Sequence, residues 1–326
     1  MESGFESLSP SQSDTNSGEH KLTMKVAVTG ATGLVGGALC RHLIQAGHQV
    51  VVLARNPEKA RGQIPQVEAV VWDATSGPSP VQALEGLDAV VHLAGEPLAA
   101  GRWTSRRKKM MVESRVAGTR NLVEALSQCQ NPPKVLVNAS AIGYYGSSED
   151  QVFEETSPPG QDFLAELCQQ WESEAKRAAD SGVRVVLVRS GFILSTEGGA
   201  LPRMLPPFKM CVGGPLASGK QWMSWIHIKD EVEAIQYAIE KEGIEGPLNL
   251  TAPNPVTNAD FTSALARALR RPAFFRVPGF VLRLMFGEMA ETLLLSGQRV
   301  VPRKLEKGGY RFRFSELSKA LDDLLG

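Results

Sequence analysis

The segment TGATGLVG, residues 29–36, spaces Gly30, Gly33 and Gly36 three apart, after the strand-like run KVAVTG (25–30) and at the start of a helical run. Such a loop binds anions with its backbone. Gly30 permits a tight turn, Gly33 lets main chain approach a pyrophosphate, and Gly36 lets the helix pack close to the sheet. Amides near Leu34 and Val35 then face the phosphates from a helix N-terminus, and Thr32 belongs to the same loop. At the first βα turn of a long chain the pattern predicts a dinucleotide site; a merely structural turn is the alternative.

A site that selects NAD usually carries Asp or Glu at the end of the second strand, for the ribose 2′-hydroxyl. Here that position is Arg55, followed by Asn56, Lys59 and Arg61. A guanidinium suits a 2′-phosphate through paired, charge-assisted hydrogen bonds. The expected cofactor is therefore NADP, the alternative being that Arg55 is an ordinary surface residue. Asp73, after the third strand, is placed to meet the adenine. Leu93, Ala94 and Gly95, after the fourth, are placed to line the adenosine side.

Alternating strands and helices must position these groups. β-rich runs occur at 25–30, 49–55, 67–72, 88–95, 134–140 and 183–190, with helical patterns over 36–47, 104–128 and 162–180. Runs such as VVVL and VVLV are apolar on both faces, as strands of a covered parallel sheet must be. The fold class is α/β, a Rossmann-like doubly wound parallel sheet with a smaller, mostly helical C-terminal lobe. Gly and Pro become frequent after about residue 191, and shorter helices are expected near 230–241, 257–270, 278–296 and 314–325. The division reads as a polar, Ser-rich disordered tail (1–23), a dinucleotide-binding domain (24–190) and a substrate lobe (191–326), which can also complete the sheet.

Composition narrows the function classes. Lys plus Arg and Asp plus Glu number 35 each, so no charge excess points to nucleic acid or an anionic membrane. The cluster RRKK (106–109) reads as a solvated helix face. Four cysteines without a C-x-x-C pair argue against disulfides and zinc, and five histidines without ligand spacing predict no metal. No apolar run reaches the ~18 residues of a membrane span. The first 23 residues lack a secretory h-region, so a cytoplasmic location is expected, with an organelle stroma left open.

Several segments together resemble one family. TGATGLVG, HLAGEP, RVAGTRNLVEAL, VNASAIGYYG, VRSGFIL and WIHIKD occur in the order found in extended short-chain dehydrogenases/reductases. The chain is more closely similar to the atypical, YfcH-like epimerase-family branch. GGPLASGKQWMSWIHIKD, LNLTAPNPVTNADF, RVPGFVLRLMFGE and GQRVVP carry that likeness, which covers roughly 24–325. It implies a Rossmann domain, a small C-terminal lobe and bound NADP(H), but no particular substrate. It also implies that Ser140, ending the fifth strand, hydrogen-bonds a substrate oxygen. Arg115 lies near the place of an active-site Asn, and Glu96 faces the cofactor cleft. Ser190, Gly191 and Phe192 pass the nicotinamide. As structural alternatives, Ser140 is a strand-end cap and Glu96 with Arg115 is a plain salt bridge.

Typical members carry Tyr-x-x-x-Lys on the helix after that serine, where Lys lowers the Tyr pKa for proton transfer. Here DFLAELCQQWE (162–172) offers only Phe163 with Leu167, or Leu164 with Cys168. Tyr237 and Lys241 have the spacing but lie in the second lobe. Tyr144, Tyr145 and Cys168 are the replacement donors at hand, and His227 reads as a structural hydrogen-bonder. The expected catalytic set is Ser140, Tyr144, Glu96 and Arg115. Two functions stay open. One is an NADP(H)-dependent oxidoreductase or epimerase-like enzyme on an unidentified small metabolite, with a homodimer left open. The other is a non-catalytic NADP(H)-binding sensor linked to cell or plastid division.

Overall fold

The computed structural model describes residues 23–77 and 80–326, so the segment read as a disordered tail lies outside the described residues except for Thr23. Seven strands form the main sheet: β1 (Lys25–Thr29), β2 (Gln49–Ala54), β3 (Glu68–Val71), β4 (Ala89–His92), β5 (Val135–Ala141), β6 (Arg184–Ser190) and β7 (Gly246–Leu250). Their order is β7-β6-β5-β4-β1-β2-β3, and every pairing is parallel. The direction of winding reverses between β1 and β4, which opens a crevice at the C-terminal ends of those strands.

The helices used below are α1 (Leu34–Gln45), α2 (Pro57–Gln63), α3 (Ser105–Val112), α4 (Gly118–Leu126), α5 (Phe163–Lys176), α6 (Leu201–Lys209), α7 (Ile228–Glu240), α8 (Asn258–Leu269), α9 (Gly279–Phe286) and α10 (Leu317–Leu325). Leu39 and Leu43 of α1 and Ile235 and Ile239 of α7 cover one face of the sheet. Leu122 and Leu126 of α4 and Ala175 of α5 cover the other. This two-sided cover explains the apolar strand runs. Each fully buried Val or Leu in them contributes roughly 1.5–3 kcal/mol. In the C-terminal region, Phe208, Phe261, Leu265, Leu317 and Leu321 from α6, α8 and α10 close around Trp225.

Four details differ from the periodicity. The helix expected over 104–128 is α3 and α4 joined by a π-helical turn, Glu113–Ala117. The helix expected over 278–296 is broken at Gly287, whose φ of 61° ends α9 before a second short helix, Glu288–Leu293. Strand β7 completes the sheet from the C-terminal part at a position the periodicity does not mark, and helix α6 has no counterpart among the expected helices. Prolines 206 and 207 inside α6 disguise a nine-residue helix as loop. Among the described residues no helix is long and apolar enough to cross a membrane, and no cluster of His, Cys, Asp and Glu could hold a metal ion.

Candidate functional site

The glycine loop leaves β1 at the reversal point and enters α1. Gly30 has φ +70°, and a Cβ there would lie 2.8 Å from the Leu93 carbonyl carbon. A Cβ on Gly36 would collide with the Gly30 carbonyl oxygen. Both positions need glycine to bring backbone segments together. Gly33 is different. Its added Cβ would meet only Gly30 O, at 3.2 Å, so the space above it is open. The Gly33 amide donates to Gly30 O at 2.9 Å, and α1 starts at Leu34 without a side-chain cap. The first amides of α1 thus have no intrahelical acceptor and face an open cradle, which suits a pyrophosphate. Thr32 sits exposed on this loop.

The turn after β4 is held rigidly. Thr29 Oγ1 accepts from the amides of Leu93 (3.1 Å) and Ala94 (3.2 Å), so its own proton goes to His92 Nδ1 at 2.8 Å. His92 therefore carries its proton on Nε2, and burial pulls its pKa down to about 4, keeping the ring neutral. The sequence reading passed over this Thr29–His92 clamp.

Arg55 is exposed just beyond β2. Its neighbour Asn56 caps α2 by accepting from Lys59 N, while Arg61 is engaged by Glu58 and the Ala69 carbonyl. Among the described residues Arg55 has no hydrogen-bond partner, which leaves its fork open to an anion. Asp73, expected to meet the adenine, lies in the turn after β3. Its carboxylate accepts from Thr75 N, Thr75 Oγ1 and Ser76 Oγ. These hydrogen bonds, that from the Thr75 amide foremost, hold its pKa below the usual range.

Arg115 lies in the π-helical turn, which swings its side chain inward beneath the β4–α3 connection. Its Nη2 donates to the backbone carbonyl of Glu96 at 3.0 Å, its Nη1 donates to Met111 O at 3.4 Å, and its guanidinium lies 5.2 Å from the Trp171 ring centre. The plain Glu96–Arg115 salt bridge is thus replaced by a contact to main chain. Burial lowers the Arg115 pKa, while the nearby Cys168 and Glu96 raise it. Gly95 fits against this guanidinium, since a Cβ there would lie 3.2 Å from Arg115 Cζ.

Ser140 enters a buried network that the sequence reading missed. Its Oγ donates to Glu172 Oε1 at 2.7 Å. Arg189 grips the same carboxylate twice, from Nε to Oε1 and from Nη2 to Oε2, each at 2.8 Å. Its Nη1 donates to Tyr145 Oη at 2.9 Å, and that phenol donates to Asn249 Oδ1 at 2.6 Å. Burial pushes the Tyr145 phenol up to about 12. The Arg189 guanidinium also lies 3.4 Å from the centre of the Tyr144 ring. A signal for Glu172 existed: it stands four residues after Cys168, on the same helix face.

The α5 face places the two candidate pairs differently relative to β5. Leu164 packs on Gly143, and the Cys168 thiol lies 3.9 Å from Ala141 O, both beside the end of β5. Phe163 lies edge-on to Trp103 at 5.5 Å, and Leu164 and Leu167 both belong to the apolar cluster around Trp103. Burial pushes the Cys168 thiol up to about 12, which removes it as a proton donor near neutrality.

Beyond β6, Gly191 N donates to Leu250 O and Phe192 N to Ser224 O, at 2.9 and 2.7 Å. Ser190 Oγ lies 2.6 Å from Glu231 Oε1 of α7. His227 caps α7 with Nδ1 and packs on Phe314, as a structural residue would. The chain ends of β1, β4, β5 and β6 thus bring the phosphate cradle, the 93–95 turn, Ser140 and Ser190 to one edge of the sheet.

Comparison with known proteins agrees with this geometry. Residues 26–250 match the NAD dependent epimerase/dehydratase family, and 277–324 match a domain of unknown function, DUF1731. The chain is 42% identical over 297 residues to epimerase family protein Mb2239 of Mycobacterium bovis, covering 91% of this chain and 96% of that one. It is similar to the crystal structure of human epimerase family protein SDR39U1 (isoform 2) with NADPH, at 36% identity and a TM-score of 0.84, covering 93% and 99% of the two chains. A nucleoside-diphosphate sugar epimerase from Corynebacterium glutamicum superposes with a TM-score of 0.77 at 35% identity, covering 94% of this chain and 59% of that one.

Proposed function

The chain belongs to the NAD dependent epimerase/dehydratase family, as an atypical extended short-chain dehydrogenase/reductase, and on that premise we propose an NADP(H)-dependent oxidoreductase or epimerase-like enzyme acting on a hydroxyl-bearing small metabolite. The open cradle above Gly33 takes the pyrophosphate, and Arg55 takes the 2′-phosphate. NADPH in the similar human structure supports that cofactor. Ser190, Gly191 and Phe192 border the nicotinamide. Substrate lies between the dinucleotide-binding part, 24–190, and the lobe formed by 191–326.

The bound dinucleotide supplies a hydride acceptor or donor; the proton is the protein's task. One observation carries the reading. Ser140 gives its proton to Glu172, so its lone pairs are left to accept from a substrate hydroxyl. As that hydroxyl is oxidised to a carbonyl, its proton passes to Ser140 while the serine's own proton moves to Glu172. Arg189 keeps the carboxylate in place from the far side. Glu172 acts through Ser140 and is a positioning residue, and Arg115 holds the Glu96 carbonyl at the cleft wall. The non-catalytic sensor reading gains no support from the relatives described above.

The test loads the protein with NADP⁺ and follows nicotinamide reduction with nucleotide sugars, polyols and hydroxy acids, and the reverse reaction with NADPH and carbonyl compounds. A turnover that Ser140→Ala lowers by ~10²–10⁴-fold is expected. A protein that binds NADP(H) yet leaves every compound unchanged would overturn the catalytic reading.

A further inference from the structure

Glu231 is 1% exposed at the start of α7, and only one of its carboxyl oxygens is engaged. Oε1 lies 2.6 Å from Ser190 Oγ, whereas Oε2 is buried without a hydrogen-bond partner. Among the described residues no cation neutralises it. On its own helix, Asp230 accepts from the amides of Arg313 and Phe314, Glu233 pairs with Arg313, and His227 and Lys229 face Asp323. From α1, Arg41 is paired with Glu197, and His42 bonds Gln236. From β6, Arg184 donates to the carbonyls of Ala238, Ile239 and Ile244, and Arg189 is paired with Glu172. Tyr310 contacts Asp230 from the C-terminal segment. Strands β5 and Phe192–Leu194, also packed on α7, bring no charged group.

An ionised Glu231 would hold a buried charge on a single hydroxyl donor. Such a charge is costly, and the neutral acid avoids it. Burial accordingly raises its pKa to about 8. With Oε1 bare, Ser190 Oγ is the donor of the 2.6 Å bond; a proton on Oε1 reverses it. A protonated Oε1 donates to Ser190 Oγ, and the serine proton is released to point elsewhere. Ser190 ends β6, opposite Ala141 and Leu250 in the sheet register, at the edge where the nicotinamide is read to lie.

We infer that Glu231 is a buried neutral acid that makes the Ser190 hydroxyl a hydrogen-bond donor to the nicotinamide carboxamide oxygen, tying dinucleotide affinity to pH. The inference rests on the NADP(H) reading above. Once Glu231 ionises, its carboxylate claims the serine proton and the carboxamide loses its donor.

The test measures the affinity of the protein for NADPH and for 2′-phospho-ADP-ribose, which lacks the nicotinamide, from about pH 6 to about pH 10. The ratio of the two cancels titration of the shared phosphates. The preference for NADPH is expected to fall about three- to tenfold as pH rises through about 8, the worth of one hydrogen bond. Glu231→Gln, whose amide also donates, should keep the full preference at every pH. Ser190→Ala should show the reduced preference throughout. A wild-type ratio that stays flat across the range overturns the inference, as does a Glu231→Gln protein that keeps the fall. If neither ligand binds at any pH, the NADP(H) reading fails, and this inference fails with it.

Discussion

Glu172 and Arg189 form a two-pronged ion pair across the end of the sheet, with side chains 1% and 2% exposed. The pair holds Ser140 on one side and Tyr145 on the other. Contacts with Glu172 outweigh burial and keep Arg189 firmly charged. Removing one member strands the other's charge, so Arg189→Met should destabilise the fold by about 3–5 kcal/mol in denaturant unfolding. Arg189→Met combined with Glu172→Leu should recover much of that loss, because no unpaired charge remains. A double variant as unstable as the single one would show that packing, not charge, governs the site.

The glycine loop separates two effects that are usually confounded. Gly36→Ala drives a Cβ into the Gly30 carbonyl and should cost about 1–3 kcal/mol of stability before any ligand is added. Gly33→Val meets only a 3.2 Å contact, at a backbone with φ −87° and ψ 174° that a branched residue accepts. It should fold near wild-type stability and lose dinucleotide binding, because its side chain fills the cradle. Thermal unfolding beside NADPH titration distinguishes them; a Gly33→Val protein with wild-type affinity means the phosphates lie elsewhere.

Arg55 has an exposed fork and no hydrogen-bond partner among the described residues, though its charge is felt at Asp73. Arg55→Asp should weaken NADPH binding by about 1–3 kcal/mol, the scale of a charge-assisted contact. NADH binding should change much less. Calorimetry that finds equal losses for both cofactors would remove Arg55 from the 2′-phosphate site.

The parts legible in the sequence are those fixed by local spacing. The cradle needs only glycines at three-residue intervals between a strand and a helix, and the sheet needs only runs such as VVVL. Long-range partners were not legible. Glu172, Arg189 and Asn249 come from α5, β6 and β7, and only the sheet order brings them to Ser140 and Tyr145. The inward turn of Arg115 depends on a π-helical turn inside what periodicity reads as one helix. The hydrogen bonds from Thr75 that engage the Asp73 carboxylate within its own turn were likewise not legible from its place after β3.

Glu231 also predicts how stability depends on pH. Its ordinary value is 4.5, and in the fold it is raised to about 8, so between these values only the folded chain retains the proton. The contribution is complete below about pH 4.5 and is lost as pH rises through about 8. The loss is at most on the order of 5 kcal/mol. Glu231→Gln removes this slope and should be more stable than wild type above pH 8. Parallel unfolding curves for the two proteins across that range would mean that Glu231 is ionised in the fold.

The last prediction concerns the missing phenol. Leu164 and Cys168 flank the end of β5, and the charge of Arg115 is felt at Cys168, where typical members carry a lysine. Arg115 thus already brings a cation to that neighbourhood, and only the tyrosine is absent. Leu164→Tyr alone should raise NADPH-dependent reduction of a generic carbonyl by at least ~10-fold, a modest part of what a positioned acid supplies. Adding Ser140→Ala should remove the gain. Adding Cys168→Lys should not help, because a second buried cation beside Arg115 is costly and would discharge or unfold the site. Phe163→Tyr with Leu167→Lys should also stay inert, since Phe163 packs on Trp103 with Lys108 4.8 Å from its ring centre. Activity from the Phe163 design instead would show that the other register faces the nicotinamide. If Leu164→Tyr folds, holds NADPH and reduces nothing, Arg115 does not replace the lysine.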